Sequence, residues 1–418
     1  MSGTMNRRTK YAILILLLAA NLLNYIDRQI LFAVFPMIKA DFRLSDTQLG
    51  LLGSAFMLFY MFFAPILGWI GDRIRHVRLA SLGLAFWSMA TALSGIAVTY
   101  GALLFSRALV GVGEASFGVV SPAILSEVFS REIRGRVLSL FYLAIPVGSA
   151  LGYLLGGILA FHYGWPAAFL LVALPGLFLV IPIWRIPLKT PHTTTSHSAV
   201  CKSFSCEPYR ALLRNRSYIL NAMAMAAMTF ALGGLAQWIP SFIYRYHHLN
   251  IMEANTLFGA ITVAAGIAGT LLGGWLGDVF QKKTQKGYLL VSAAGFFLSI
   301  PCCLFAILTP HLTACMFAVF LAECLLFLNT GPLNTVIVNI SHPLYRATAF
   351  ALNIFLIHAL GDAISPTIIG WLSDLFELRL AMLIAPLFIF LALLFCLACC
   401  RFIDEDTSRI ETMCSDRI

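Results

Sequence analysis

The stretch Gly68-Trp69-Ile70-Gly71-Asp72 ends the second hydrophobic span of the chain, and Gly274-Trp275-Leu276-Gly277-Asp278 ends the eighth. These two near copies lie about half of the 418-residue length apart. A third copy, Gly370-Trp371-Leu372-Ser373-Asp374, ends the eleventh span on the opposite side of the membrane. Repeats in this arrangement indicate two homologous halves, each built from two inverted three-helix units.

The composition indicates that lipid is the solvent for most of the chain. Hydrophobic residues make up 60% of the sequence and charged residues 11%, and the mean hydropathy is +0.87. These values lie outside the range of soluble globular proteins. Uncharged stretches long enough to cross a bilayer recur, and turn residues near 99–101, 162–166 and 309–311 divide the longer ones. The sequence therefore predicts an all-α membrane protein of about twelve transmembrane helices in two pseudo-symmetric six-helix bundles.

The longest polar stretch divides the chain nearly in half. It runs from about residue 187 to 216, is rich in Thr, Ser, His and basic residues, and has no helical apolar period. We therefore expect an N-terminal six-helix bundle at 1–186, a cytoplasmic linker at 187–216, a C-terminal six-helix bundle at 217–403 and a cytoplasmic tail at 404–418.

The net charge of +9 follows membrane topology. Lys and Arg concentrate at alternate connections between spans, so nucleic acid is not an expected partner. With the N-terminus in the cytoplasm, most basic residues fall on that side, and those expected on the far side are Lys39, Arg43, Arg245 and Arg379. We expect an integral multi-pass protein of a bacterial inner (plasma) membrane, with both termini cytoplasmic. The first span is too long for a signal peptide and is expected to be retained.

Four charged residues interrupt two of the hydrophobic spans. Asp27 and Arg28 lie side by side in the first span, and Arg107 and Glu114 lie in the fourth. A charge facing lipid costs about 2.5 to 3.5 kcal/mol of insertion free energy, so we expect the four to face one another or a wet cavity. With a rise of about 1.5 Å per residue, the first pair comes to a depth between the members of the second. One shared cavity is therefore expected.

Two interpretations of this ionic quartet stay open. The quartet is either a static charge lock between two helices or the centre of a transport site. The number and depth of the charges favour the transport site. For that site we assign substrate binding to Arg28, Arg107, Asn24 and Tyr25, and proton coupling to Asp27 and Glu114.

The second half carries different polar residues. Glu323 lies in the tenth span together with Asn329 and Asn334. In the eleventh span, His358 and Asp362 are four residues apart and can face each other on one side of a helix. A histidine beside a carboxylate can titrate near physiological pH, which makes this pair a candidate proton-coupling element. The alternative for the histidine is a packed or hydrogen-bonded structural residue. Glu323 is a further candidate for proton coupling.

The loop after the second span resembles the signature of the major facilitator superfamily in Gly68-x-x-x-Asp72-Arg73-x-Arg75, with a weaker copy from Asp278 to Lys283. The resemblance implies the major facilitator fold. Glycine lets two helices approach closely, and Asp72, Arg73 and Asp278 can form an ion-pair latch that gates the cytoplasmic side. A basic loop that determines topology explains the same residues, and both explanations can hold.

Several segments are similar to the Spinster family of lipid transporters. The matching residues are Asn24-Tyr25-x-Asp27-Arg28, Ser106-Arg107-x-Leu109-Val110-Gly111-x-Gly113-Glu114-Ala115-Ser116, Phe141-Tyr142-x-Ala144-Ile145-Pro146-x-Gly148-Ser149, Glu323 with Asn329, and His358-x-x-Gly361-Asp362-x-x-Ser365-Pro366. The resemblance implies export or exchange of lysophospholipids or sphingoid phosphates with protons. It also implies that Asp27, Arg28, Arg107 and Glu114 line the central cavity, and it gives similar weight to His358 and Asp362.

The function expected from these features is secondary active transport of an anionic amphipathic lipid by alternating access. An arginine of the quartet would pair with the head group, and Phe230, Leu235 and Trp238 would accommodate an acyl chain. The alternative is a proton-coupled symporter of small organic anions such as sugar acids, because such transporters also carry a motif like Asn-Tyr-x-Asp-Arg.

The remaining expectations concern partners and chemistry. We expect no enzymatic activity, catalytic residue, metal or cofactor, because the sequence shows neither a nucleophile beside a base nor a metal-ligand cluster. Besides its substrate, the protein is expected to interact with protons and membrane lipids and to function as a monomer, the last by analogy with the fold alone.

Overall fold

The computed structural model describes residues 6–71, 73–129, 131–188, 207–341 and 346–415. Within these residues the chain is helical and contains no strand. Twelve helical segments among them are long and apolar enough to cross a membrane, which confirms the predicted fold class. In chain order, span 1 to span 12 are Arg7–Ala33, Asp46–Gly71, His76–Gly95, Tyr100–Val128, Leu140–Tyr163, Trp165–Trp184, Arg216–Tyr246, Ile251–Gln281, Gly287–Leu308, Leu312–Asn339, Thr348–Phe376 and Leu378–Cys399.

The predicted turns separate the spans where expected. Span 3 ends at Gly95, and span 4 begins at Tyr100 with the Thr99 hydroxyl accepting a hydrogen bond from the Ala102 amide. Span 5 passes into span 6 at Gly164, whose φ of +82° favours glycine. Four spans are interrupted. Span 5 continues the helix Arg131–Tyr142 with Ala144–Tyr163, and span 10 consists of Leu312–Phe327 and Thr330–Asn339. Span 11 consists of Arg346–Ile357, a wide π turn at His358–Asp362 and Ser365–Phe376, and span 12 of Leu378–Ala381 and Ile384–Cys399.

Part of the polar linker is helical, which corrects the expectation of no helical period between 187 and 216. A helix runs over Glu207–Arg214, and span 7 begins directly afterwards at Arg216. Among residues 209–214 of this helix, whose burial is described, only Leu212 is buried. An eight-residue helix has barely two turns, which is too short a run for a helical period to stand out in the sequence. Residues 189–206 lie outside the described part of the chain.

The chain divides into two compact units. The first comprises Met1–Ser198 with Ile243–Ala260, and the second comprises Ala199–Phe242 with Ile261–Ile418. In the first unit, span 4 packs on spans 2 and 3, span 6 on span 3, and span 5 on span 1. In the second unit, span 9 packs on spans 10 and 12.

Small residues bring spans 1 and 5 into close contact. Gly148, Gly152 and Gly156 recur at every fourth position of span 5. A Cβ at each of them would collide with span 1, at Gly152 with the backbone of Ile26. This small-xxx-small packing places the charged part of span 1 firmly on its neighbour.

The glycines of span 8 mirror a contact of the first half. A Cβ at Gly111 of span 4 would collide with the backbone of Phe56 in span 2, and a Cβ at Gly273 of span 8 would collide with the backbone of Leu328 at the break in span 10. Spans 2 and 4 therefore pack as spans 8 and 10 do, although the glycine lies on the other partner. This equivalence agrees with two homologous halves.

Each copy of the repeated motif carries a tryptophan at a helix end. Trp69, Trp275 and Trp371 are all more than half exposed. Exposed tryptophans at the ends of transmembrane helices occupy the interface between lipid and water. The motif therefore marks where spans 2, 8 and 11 leave the membrane.

Candidate functional site

The structure brings the four charged residues of spans 1 and 4 together as two ion pairs. Arg107 donates from Nη1 to Asp27 Oδ1 at 3.0 Å, and Arg28 donates from Nε to Glu114 Oε2 at 2.7 Å. Each pair joins span 1 to span 4. Span 1 contributes the anion to the first pair and the cation to the second. Neighbouring helix residues point about 100° apart, so Asp27 and Arg28 face different surroundings.

The Asp27–Arg107 pair is sealed inside the first unit. The Arg107 side chain is 1% exposed and that of Asp27 3%. The Thr91 hydroxyl of span 3 donates a hydrogen bond to Asp27 Oδ2. This carboxylate thus accepts from two elements at once and ties span 1 to spans 3 and 4. Nothing in the sequence singled out Thr91, because an isolated threonine in a transmembrane helix carries no pattern.

The Arg28–Glu114 pair is built differently. Its guanidinium carbon lies 5.0 Å from the ring centroids of Tyr25, Phe56 and Tyr60, a distance typical of cation–π contacts. The Arg28 side chain keeps 16% exposure, whereas Glu114 is completely buried. Glu114 Oε1 has no hydrogen-bond partner among the described residues. Arg28 is thus the most exposed member of the quartet.

The two polar neighbours assigned to substrate binding differ in role. Tyr25 provides one of the rings beside Arg28 and packs through its Cβ on Gly148 of span 5. Asn24 is buried, and its side chain makes no hydrogen bond to the described residues. One turn earlier, Asn21 donates to the Phe141 carbonyl and so fixes span 1 against the start of span 5. The rings of Phe56 and Tyr60 were missed by sequence reasoning.

In the second unit, His358 and Asp362 face each other as predicted. His358 Nδ1 lies 2.9 Å from Asp362 Oδ1, and both side chains are partly exposed. The pair flanks Gly361, which has non-helical angles (φ −111°, ψ −107°) in the wide turn of span 11. A Cβ at Gly361 would meet the backbone of Ala226 and Phe230 in span 7. The kink therefore depends on the close approach of spans 7 and 11.

Glu323 lies apart from that pair, and no hydrogen bond or ion pair joins them among the described residues. The Thr262 hydroxyl donates to Glu323 Oε1 at 3.2 Å, and Oε2 has no partner there. This carboxyl lines a cavity of about 20 Å³ whose walls are otherwise apolar and come from spans 7, 9, 10 and 12. Asn329 and Asn334 donate to carbonyls of their own span, at Leu325 and Thr330. They stabilise the break in span 10.

The three apolar residues expected to accommodate an acyl chain are not equivalent. Leu235 lines the Glu323 cavity. Phe230 is completely buried and stacks on Phe388 with ring centroids 3.6 Å apart, and Trp238 donates from Nε1 to the Pro366 carbonyl. Of the three, Leu235 is the one that lines the Glu323 cavity.

The predicted gating residues show contacts other than the expected latch. Asp72 lies outside the described residues. Arg73 donates to the Trp69 carbonyl at 2.8 Å and lies over that ring at 3.7 Å. Asp278 accepts a hydrogen bond from the Tyr288 hydroxyl at 2.8 Å, and no ion pair of Asp278 occurs within the described chain. In the second copy, the tyrosine at the start of span 9 thus takes the position expected for a basic residue.

The described residues contain no group of three or more His, Cys, Asp or Glu side chains that could hold a metal ion.

Comparison with known proteins identifies the family. The model of the Major Facilitator Superfamily matches residues 17–366. The sphingosine-1-phosphate transporter SPNS2 of Xenopus tropicalis is 33% identical over 442 residues, covering 98% of this chain and 86% of that protein. The chain belongs to the Spinster family of the Major Facilitator Superfamily. Protein spinster homolog 1 of Xenopus laevis is 35% identical over 389 residues, covering 87% of this Spinster-family chain and 72% of the relative.

Solved structures agree with the fold. A bacterial homologue of the human lysosomal transporter Spinster, crystallised in an inward-facing and unoccupied conformation, superposes with a TM-score of 0.89 at 23% identity. The match covers 96% of this Spinster-family chain and 99% of that structure. The predicted family and fold are thus confirmed. The protein is a multi-pass integral membrane transporter.

Proposed function

We propose that this transporter moves an anionic amphipathic lipid, a lysophospholipid or a sphingoid phosphate, by alternating access with proton coupling. The observation that carries the proposal is the contrast between Arg28 and Arg107. Both are paired with a carboxylate, but the Arg28 side chain keeps 16% exposure whereas that of Arg107 keeps 1%. Three ring centroids lie 5.0 Å from the Arg28 guanidinium carbon, whereas the two rings near Arg107 lie 5.7 and 5.8 Å away. The names of the SPNS2 relatives, sphingosine-1-phosphate transporters, support a lipid substrate.

Arg28 suits a phosphate head group for a geometric reason. A guanidinium offers several N–H donors in one plane, and the contact with Glu114 uses Nε, which leaves the Nη groups for a second acceptor. The three rings hold the guanidinium in place and exclude water from its faces. A phosphate that reaches the exposed side of Arg28 would therefore compete with Glu114 for one preorganised cation.

Proton coupling follows from that competition. Substrate anion and ionised Glu114 both neutralise Arg28, so binding of one disfavours the other. Protonation of Glu114 frees the arginine, and the buried carboxyl then remains as a neutral group. A proton would thus travel with the lipid. His358 and Asp362 supply a second candidate pair for proton coupling, and Glu323 a third carboxyl, in the other unit.

We place six-helix bundles at 1–186 and 217–403, a linker between them at 187–216 and a tail at 404–418. The protein would lie in a bacterial inner membrane with both termini on the cytoplasmic side. Asp72, Arg73 and Asp278 would gate that side. The transporter would function as a monomer.

The test is uptake into proteoliposomes across a pH gradient with a radiolabelled lysophospholipid and a sphingoid phosphate. We expect Glu114→Gln to bind substrate but to lose the dependence of uptake on pH, because a glutamine cannot release a proton. Glu405→Gln, at an exposed carboxyl of the C-terminal helix Ile403–Ser415, is the matched control and should behave as the parent. Unchanged pH dependence in Glu114→Gln would remove Glu114 from coupling. Displacement of label by a hexuronate but not by lysolipid would favour the small-anion alternative.

A further inference from the structure

The linker helix Glu207–Arg214 presents three distinct faces. Leu212 is 4% exposed and packs toward the protein, where the helix contacts the first part of span 11. Tyr209 and Leu213 are four residues apart and are 43% and 55% exposed. Arg210 and Arg214 are also four residues apart and exposed. Residues at this spacing lie on one side of a helix, so an apolar stripe runs beside a basic stripe.

The orientation of the helix is fixed at its C-terminal end. Asn215, directly after it, donates to the Ile340 carbonyl at 3.2 Å, and its Oδ1 accepts from the Tyr218 amide in the first turn of span 7. Because Leu212 is buried against the protein, the helix cannot rotate to bury Tyr209 and Leu213 instead. Neither Arg210 nor Arg214 has an ion-pair partner among the described residues.

Position relative to the bilayer follows from continuity of the chain. Span 7 begins at Arg216, so the linker helix precedes a transmembrane helix by a single residue. It therefore lies at the level where that span enters the membrane. A helix at this level, with an apolar stripe and a basic stripe side by side, has the features of an interfacial helix.

We propose that the helix Glu207–Arg214 binds anionic phospholipid head groups at the membrane surface. Tyr209 and Leu213 insert among the acyl chains just below the head groups, and Arg210 and Arg214 reach up to the lipid phosphates. The proposal concerns the lipids around the transporter and is independent of which substrate is carried. Because the helix is joined to span 7 through Asn215, binding would also hold the start of that span at a set depth.

The experiment uses the full-length protein in nanodiscs of phosphatidylcholine alone or of an equal mixture with phosphatidylglycerol. Backbone hydrogen–deuterium exchange of residues 207–214 is compared between the two lipids. We expect slower exchange in the anionic mixture for the parent. The double variant Arg210→Gln/Arg214→Gln should lose this difference and bind phosphatidylglycerol roughly 30-fold more weakly by native mass spectrometry, about fivefold for each charge.

The matched control is Arg401→Gln/Arg409→Gln, which removes two exposed arginines at the C-terminal helix and should retain the lipid effect on 207–214. Leu213→Asn probes the apolar stripe and should speed exchange in both lipids. Exchange in spans 1 and 4, followed in the same samples, reports whether each variant is folded. Equal exchange of the parent in both lipids would overturn the proposal, as expected if the helix instead binds a soluble protein. Retention of the phosphatidylglycerol effect by the arginine double variant would overturn it as well.

Discussion

Two adjacent residues of span 1 point about 100° apart around the helix and therefore meet different surroundings. Asp27 is sealed between Arg107 and Thr91, whereas Arg28 keeps 16% exposure beside aromatic rings. Removing one partner of a buried ion pair leaves an uncompensated charge, so the sealed pair is needed for folding whatever is transported. Under the proposed function, Arg28 exchanges Glu114 for the substrate anion. The two interpretations left open by the sequence then divide between the pairs, with Asp27–Arg107 as the static lock and Arg28–Glu114 as part of the transport site.

This division predicts opposite effects of two conservative substitutions. Arg28→Lys keeps the charge but loses the planar donor fork and its stacking on rings, so KM for lipid uptake should rise by roughly tenfold. Thr91→Val removes a hydroxyl that donates to a buried carboxylate. It should lower the free energy of unfolding by about 1.5 to 3 kcal/mol while KM stays at the parent value.

Uptake kinetics and thermal unfolding of the same purified preparations measure both quantities. The proposed division would be wrong if Thr91→Val raised KM as much as Arg28→Lys did, because Thr91 touches no accessible part of the site.

At the scale of elements, glycines determine how closely the helices pack around the charged residues. Gly152 lets span 5 contact the backbone of span 1 just before Asp27, and Gly361 does the same for spans 7 and 11 beside His358. The sequence indicated close packing in span 5 from its small residues. It could not indicate the contact of Gly361, because that contact depends on a neighbour more than a hundred residues away.

Two adjacent glycines in span 8 give a sharp test of this packing. A Cβ at Gly273 would collide with the backbone of Leu328, whereas a Cβ at Gly274 meets nothing within 4 Å. Gly273→Ala should therefore lower the free energy of unfolding by about 1 to 3 kcal/mol through overpacking. Gly274→Ala should be neutral or slightly stabilising, since alanine favours helix over glycine.

Thermal unfolding in detergent measures the two variants side by side. Equal midpoints for Gly273→Ala and Gly274→Ala would contradict the close contact of spans 8 and 10.

At the scale of the whole molecule, the twofold repeat and the twelve spans could be read from the sequence because apolar length and repeated motifs are local signals. The sequence could not show which charges pair and which stay exposed, because the depths of Asp27 and Arg28 between Arg107 and Glu114 are compatible with either pairing. The hydrogen bond of Asp278 to Tyr288 was likewise invisible, because several side chains of the next span could reach that carboxylate.

Contacts also divide the molecule differently from its sequence repeat. The end of span 7 and the start of span 8, residues 243–260, belong to the first compact unit. Asn255 donates to the Ala33 carbonyl at 3.0 Å, and Arg245 donates from both Nη groups to the carboxylate of Asp46 at 2.7 Å. Lys39 donates to the same carboxylate. The buried Asp46 therefore collects two cations that the sequence had placed on one side of the membrane.

Asp46→Asn should loosen the segment 243–260 from the rest of the first unit. The amide keeps the shape of the side chain but lacks the charge that balances Arg245 and Lys39. Both cations are partly exposed, so water screens the ion pairs. We therefore expect the amide exchange rate of 243–260 to rise by roughly tenfold, which is less than the loss of a fully buried pair would cause. Arg43→Gln is the matched control, because Arg43 is an exposed cation of the same connection. If exchange of 243–260 were unchanged in Asp46→Asn, the hydrogen bond of Asn255 and the apolar packing of the segment would suffice to hold it.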